Sequence, residues 1–222
     1  FREHLVSKTM LVKGNTQTSQ AMALFYGIFN NKKEERQAFK HLMRYIKKEN
    51  NHIDTGILGA RVLFHVLAKY GQINLAADMI RDVTYPSYGY MWKNGATTLW
   101  ENFEGFASQN HHFYGDISNF FISELSGIKV NESGRNFKDI KIAPNFAECL
   151  DFAEGFYKTP YGKILSRWER DKENGKIKLT AVIPENLICR LVIPNGFKTE
   201  NKMNHFLHAG KHEINLIWKN TH

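Results

Sequence analysis

Apolar residues along this chain follow two different rhythms, and the change from one to the other divides it. Over roughly its first half they recur at three- and four-residue intervals, the spacing of one helix face. Residues 17–29 (QTSQAMALFYGIF) predict a helix with Thr16 as its N-cap. Residues 32–48 predict a second, with Phe39, Leu42, Met43 and Ile46 on one stripe and charges elsewhere. The segment 51–59 (NHIDTGILG) interrupts the pattern with two glycines. A third helix is expected over 60–70, closed by Gly71 just past its end. Residues 74–83 and 117–125 complete the set of about five, the last apolar on most sides and ended by Ser126-Gly127.

From about Ile128 apolar and polar residues alternate. Residues 137–142 (FKDIKI), 162–168 (GKILSRW), 176–183 (KIKLTAVI), 189–193 (CRLVI) and 213–218 (EINLIW) have strand length. Asn174-Gly175, Pro184-Glu185-Asn186 and Pro194-Asn195-Gly196 lie between them as turns. Short alternating runs with such turns predict antiparallel strands of a β-sandwich. Helices first and strands later predict two domains, residues 1–127 and 128–222. Helices this few cannot close a helical barrel by themselves, and they read as the rear part of one. No fixed-period repeat is present.

At the end of the helical half lies residues 85–115, YPSYGYMWKNGATTLWENFEGFASQNHHFYG. Tyr85-Pro86-Ser87 and Asn94-Gly95 break it into short pieces. It keeps two glutamates and two adjacent histidines among two of the four tryptophans. Aromatic faces with a few polar groups between them suit a sugar-binding cleft. Glu101 is the leading candidate, because Trp100 and Phe103 would partly desolvate it, a setting that suits general acid–base work. The plainer alternative is a structural glutamate bonded to backbone amides. Glu104 reads as an exposed loop acid. His111 and His112 lack the i, i+4 spacing of a zinc helix, so no metal is expected. Trp92 and Tyr90 are either a sugar platform or core, and Trp100 and Asn110 are the remaining candidates for substrate contact.

Composition changes the picture little. The net charge is +8, but the densest basic runs, 31–36 and 44–49, have acids mixed in and read as solvated helix faces. No nucleic-acid partner is expected. No apolar run reaches the roughly 20 residues of a membrane span, so no membrane partner is expected either. Cys149 and Cys189 are far apart and decide no compartment. Residues 56–59 are too short for a phosphate loop, and nothing calls for a cofactor. The chain opens on Phe1 without a methionine and reads as an internal fragment.

Three blocks resemble bacterial α-L-rhamnosidases of glycoside hydrolase family 78: Tyr85-Pro86-Ser87-Tyr88-Gly89-Tyr90-Met91, Gly95-Ala96-Thr97-Thr98-Leu99-Trp100-Glu101 and Ser108-Gln109-Asn110-His111. Gln17-Thr18 with Ala21 and Ala23 is similar to the family's "QTAYALAL" helix, and Thr55-Gly56-Ile57-Leu58-Gly59 to its "TGFLG" loop. Downstream, Lys141-Ile142-Ala143-Pro144 resembles "RIAP", and Thr159-Pro160-Tyr161-Gly162-Lys163-Ile164-Leu165-Ser166-Arg167-Trp168 resembles "SPYGRISSRW". The resemblance implies an (α/α)6 barrel followed by a C-terminal β-sandwich, and hydrolysis of terminal α-L-rhamnose with inversion. It implies that Glu101 is the general base and that His111 contacts the bound rhamnose. The family's acidic "D-x-P-x-R-E-R" motif, which carries the general acid, has no counterpart here.

The resemblance therefore implies a rhamnosidase part holding the base without the acid. Its expected partners are a rhamnose-containing glycoside or polysaccharide and the remainder of the barrel, or a second copy through the open side. By itself the fragment is expected to be close to inactive. Either periplasm or cytoplasm of a bacterium is compatible with it. The alternatives are a non-catalytic carbohydrate-binding or structural remnant and a different glycosidase or lyase on the same helical toroid.

Overall fold

The structure, a computed structural model, describes residues 2–130 and 139–219. They divide into two compact units, Phe1–Ile117 and Ser118–His222.

Among the described residues seven helices precede the strands: α1 (Arg2–Leu5), α2 (Gln17–Phe25), α3 (Lys32–Lys48), α4 (Ile57–Lys69), α5 (Ile73–Arg81), α6 (Tyr88–Lys93) and α7 (Asp116–Phe120). The four longest, α2 to α5, lie where the periodicity places helices; α1 and α6, four and six residues long, are additional. Thr16 caps α2 in a reciprocal box, its hydroxyl accepting the Ser19 amide at 3.1 Å while Ser19 Oγ accepts the Thr16 amide at 3.2 Å. The helix stops at Phe25, four residues earlier than its apolar run, because Gly27 turns the chain at φ 66°. In α3 the Asn31 side chain accepts two amides, and Glu34, Glu35, Lys47 and Lys48 complement the helix dipole. Ala38, Leu42 and Ile46 form its buried stripe, while Phe39 stacks on Tyr70 at 4.4 Å.

The central helix of this unit is α4, with eight buried residues. It begins at Ile57 instead of residue 60, so Gly59 lies inside the helix and does not break it. A Cβ there would collide with Thr18 Oγ1 on α2 and approach Thr55 Cβ to 2.7 Å. The C-terminus of α4 is a Schellman turn: Gly71, at φ 76°, donates to Ala68 O at 3.0 Å, and Gln72 donates to Leu67 O at 2.8 Å. Short α6 is capped by Ser87 Oγ, which accepts the Tyr90 amide at 2.8 Å and donates to Thr84 O at 2.9 Å. Gly89 lets it close on the end of α5, where a Cβ would meet the carbonyls of Arg81 and Asp82.

Residues 117–125, expected as one helix, instead end in a π-helical turn, Phe121–Leu125, with Ser126 N donating to Phe121 O at 2.9 Å. Phe120 is buried and Phe121 is 44% exposed. Among the described residues nine strands follow: β1 (Ile128–Val130), β2 (Ile140–Ile142), β3 (Phe152–Thr159), β4 (Gly162–Asp171), β5 (Lys176–Ile183), β6 (Cys189–Leu191), β7 (Phe197–Thr199), β8 (Phe206–Leu207) and β9 (Gly210–Trp218). They form two sheets, ordered β1-β2-β6-β8 and β3-β4-β5-β9-β7. Pairing is antiparallel except between β2 and β6, which run parallel. Residues 137 and 138 of the expected first strand lie outside the described residues.

Register explains the core. Trp168 pairs with Leu179, which pairs with Ile214, so the inward residues of β4, β5 and β9 stand side by side. They share one buried cluster with Ile140, Ile142, Cys189 and Leu191 from the other sheet. Where the π-turn leaves backbone carbonyls without helical partners, β4 supplies donors: Trp168 Nε1 to Leu125 O at 2.7 Å and Ser166 Oγ to Ser126 O at 2.6 Å. Gly127, at φ 84°, makes the tight exit, since a Cβ there would run into the backbone of Pro144.

Candidate active site

The helical unit carries an open cleft of about 740 Å³. Three separate stretches of chain wall it: the start of α2, the loop between α3 and α4, and the aromatic segment that begins at Tyr85. Gln17, fully buried on α2, fixes the second wall. Its Nε2 donates to His52 O at 3.0 Å and its Oε1 accepts the Asp54 amide at 3.1 Å. One turn on, buried Gln20 does the same for the segment before α2, donating to Met10 O at 3.0 Å and accepting the Val12 amide at 3.1 Å. The polar half of the Gln17-Thr18 motif is thus a clamp on the backbone, and Gly59 lets α4 approach it.

Polar side chains around the cleft are tied to one another. His52 Nε2 lies 2.7 Å from Thr84 Oγ1 and 3.8 Å from Asp82 Oδ2. Hydrogen bonds from the Thr84 hydroxyl and amide hold the Asp82 carboxyl below the usual carboxylate range. Across the cleft Tyr85 donates its phenol to Glu104 Oε1 at 2.5 Å, and that bond, with burial second, pushes the phenol up to about 12. Burial raises Tyr114 as well, and Tyr88 behind it. Tyr88 donates its phenol to Tyr114 O at 3.1 Å. Carboxylates, an imidazole and phenolic donors over aromatic edges make up the kind of lining that grips a sugar.

Glu101 and His111 sit on a small clip at one end of this segment. Residues 98–101 run back along 108–111, joined by Glu101 N to Ser108 O at 2.8 Å, His111 N to Leu99 O at 2.8 Å, and Thr98 Oγ1 to Gln109 O. Glu101 is half-buried, and its Oε2 accepts the Ser108 amide at 3.3 Å. The rings flanking it point inward: Trp100 packs against Gly105, where a Cβ would stand 2.6 Å from Cζ3, and Phe103 packs on Tyr114 at 4.6 Å. His111 Nδ1 accepts the Phe113 amide at 3.3 Å, which leaves Nε2 as the protonated, donating nitrogen.

The remaining candidates are dispersed. Trp92 projects from α6 with 75% of its surface exposed. Tyr90 is half-buried, edge-on to Tyr85 at 5.5 Å, and Tyr85 is the ring that lines the cleft. Trp100 is core, and exposed Asn110 carries backbone bonds to Ser108 Oγ at 3.4 Å. Asn102, Phe103 and Glu104, directly after Glu101, line the cleft, as do His52, Asp54 and Tyr85. Sequence reasoning did not select these last three, and it ranked Glu104 low. The Tyr85–Glu104 bond joins residues whose types gave no sign of it; only the unusual density of polar groups among rings pointed to the region.

Comparison with known proteins gives this geometry a family. Residues 1–125 match the bacterial alpha-L-rhamnosidase 6 hairpin glycosidase domain, and residues 127–207 match the bacterial alpha-L-rhamnosidase C-terminal domain. An α-L-rhamnosidase of Formosa agariphila is 35% identical over 190 residues, covering 81% of this chain and 20% of the relative. One from Alteromonas sp. (strain LOR) is 30% identical over 233 residues, covering 96% and 25%. The crystal structure of the Aspergillus terreus enzyme superposes with a TM-score of 0.85 at 24% identity, over 96% of this chain and 25% of that one. The Streptomyces avermitilis enzyme complexed with L-rhamnose gives 0.81 at 22% identity, over 98% and 22%. These two structures establish the shared fold. The chain spans about a fifth to a quarter of the length of the curated relatives. It belongs to the bacterial α-L-rhamnosidase family, residues 1–125 matching that family's six-hairpin glycosidase domain and residues 127–207 its C-terminal domain.

Proposed function

We propose that this chain supplies the water-activating side of an α-L-rhamnosidase active site, and that Glu101 is the general base. In this reading Glu101 takes a proton from a water as that water's oxygen bonds to the anomeric carbon. The bond to the leaving oxygen breaks on the opposite face, and a carboxylic acid protonates it. Inversion needs the two carboxyls about 6.5–9.5 Å apart. We assign the acid to a segment outside these 222 residues, since no stretch here resembles the family's acidic motif and the relatives are about four times as long. The parts before and after about Gly127 then act as barrel and sandwich. The remainder of the barrel, or a second copy, covers the open side.

The observation that carries the reading is the clip of 98–101 on 108–111. It holds the two residues that the family resemblance assigns to base and sugar contact on paired segments; neither lines the cleft itself, but Asn102, Phe103 and Glu104, which follow Glu101 directly, do. His111, donating through Nε2, would bond a rhamnose hydroxyl. The test is Glu101→Gln in a rhamnosidase that carries these residues within its whole barrel. Turnover of an aryl α-L-rhamnoside should fall by about 10²–10⁴-fold, with KM changed only a few-fold and folding intact. Wild-type kcat in that variant would remove Glu101 from the chemistry.

A further inference from the structure

Two walls of the cleft are joined through three side chains. His52 belongs to the loop between α3 and α4 and lies on the cleft surface, while Asp82 and Thr84 belong to the segment between α5 and α6. The contacts run from Asn50 O to His52 Nδ1 at 3.1 Å, from His52 Nε2 to Thr84 Oγ1 at 2.7 Å, and from Thr84 Oγ1 to Asp82 Oδ1 at 2.5 Å. Asp82 Oδ1 also accepts the Thr84 amide at 2.7 Å, and Oδ2 stands 3.8 Å from His52 Nε2.

Each link needs its own proton. A carbonyl oxygen accepts and never donates, so Nδ1 must carry a hydrogen toward Asn50. A threonine hydroxyl has one hydrogen and cannot donate to the imidazole and the carboxyl together. When it donates to Asp82, Nε2 must donate to Thr84. When it donates to Nε2, the carboxyl must carry the proton instead. Both arrangements hold one proton more than an ionised aspartate and a neutral histidine supply. Bonds from Thr84 keep Asp82 toward its ionised form, which places the extra proton on His52 as a charge-assisted donor. The surrounding charges favour a cation there. Glu49, Asp54 and Glu104 line the same cleft, Glu49 with Lys48 beside it at 3.4 Å. Arg81, whose charge reaches Asp82, is itself paired with Asp78 at 2.8 Å. Thr16 and Thr18, from α2 and its cap, add no charge, and the phenols of Tyr85 and Tyr114 titrate far above the imidazole range.

We propose that His52, Thr84 and Asp82 form a proton-dependent tie between two walls of the cleft, and that His52 is a positioning residue through which pH sets how firmly the cleft is assembled. The tie is complete while the extra proton is held. As pH rises through the imidazole range, about 6.5 for an ordinary histidine, that proton leaves and one of the three links has no hydrogen. Tyr85, the residue after Thr84, donates its phenol to Glu104, so loosening at Thr84 frees that wall from the His52 loop. The tie rests on these bonds alone, and its bearing on catalysis rests on the rhamnosidase reading of the cleft.

The test is hydrogen exchange of the 222-residue chain at about pH 5 and about pH 8, corrected for the intrinsic rate. It needs no turnover, so its failure is distinguishable from failure of the Glu101 assignment. Opening of segments 52–54 and 82–85 should be about tenfold more frequent at the higher pH, with the centre of α4 unchanged. His52→Gln keeps a donor that does not titrate and should abolish the pH difference. Thr84→Val removes the middle link and should open both segments equally at either pH; it carries the test alone should His52→Gln not fold. Equal opening of the wild-type chain at the two pH values, an equal acceleration at the centre of α4, or an undiminished pH difference in either variant would overturn the proposal.

Discussion

Gln17 gives the most direct test of how the cleft is built. Gln17→Met keeps the length of the side chain and deletes both of its bonds, to His52 O and from the Asp54 amide. A net hydrogen bond contributes about 0.5–1.5 kcal/mol, so two come to about 1–3 kcal/mol. The figure stays in that range because Asp54 is exposed and its freed amide can recruit water. Gln20→Met should sit at the upper end, since Val12, whose amide it holds, is 4% exposed. A local loss of 1–3 kcal/mol raises the opening equilibrium about 5- to 150-fold. Hydrogen exchange read by mass spectrometry should show that acceleration in the 52–54 segment of Gln17→Met, while the centre of α4 changes less. Unchanged exchange at 52–54 would mean that the loop is held by something other than this side chain, and the clamp would have to be abandoned.

Two further outcomes test the β unit. Cys189 is buried, and burial pushes its thiol up to about 11, whereas Cys149 is exposed. Iodoacetamide at mildly alkaline pH should therefore label Cys149 alone until denaturant is added; rapid native labelling of Cys189 would contradict the packing. The unfolded thiol ionises near 8.5 while the folded one stays protonated, so this residue's contribution is intact below about 8.5 and fades as pH rises toward 11. Trp168→Phe removes the indole donor to Leu125 O and leaves space in a fully buried site. It should cost about 2–4 kcal/mol in urea unfolding of this unit, and a loss under about 1 kcal/mol would show that the indole bond matters little.

How much was legible in the sequence depended on how far each signal lay within one segment. Helix α3 and strand β5 have the predicted ends, because a charged solvent face or a strict alternation marks every residue of each. Strand β3 escaped notice because its outer face is aromatic: Phe152 and Phe156 are half-exposed, with Arg167 and Lys163 over their rings. Both faces then read as apolar and the alternation disappears. Short α6 is stabilised by Ser87 and by its fit against α5, not by helix propensity, which Gly89 lowers. The parallel β2–β6 pairing joins segments with three strands between them, and no local pattern reports it. Glu101 was a candidate from its aromatic neighbours, but its role as base and that of His111 as sugar contact came only from the family resemblance. His52, Asp54, Tyr85 and Glu104 come together only when two loops fold onto α2.

The interleaving of the two sheets limits where this chain can be divided. β1 and β2 precede the β3-β4-β5 meander, while β6 and β8, which complete their sheet, come after it. The C-terminal family match ends at residue 207, before β9 begins at Gly210. Yet β9 lies between β5 and β7, and it carries Ile214 and Leu216 into the core. A chain cut at the limit of that match would leave β7 with no partner and turn a row of β5 backbone groups into a bare, adhesive edge. Homology therefore marks too short a unit for expression, and the residues through Trp218 have to travel with it.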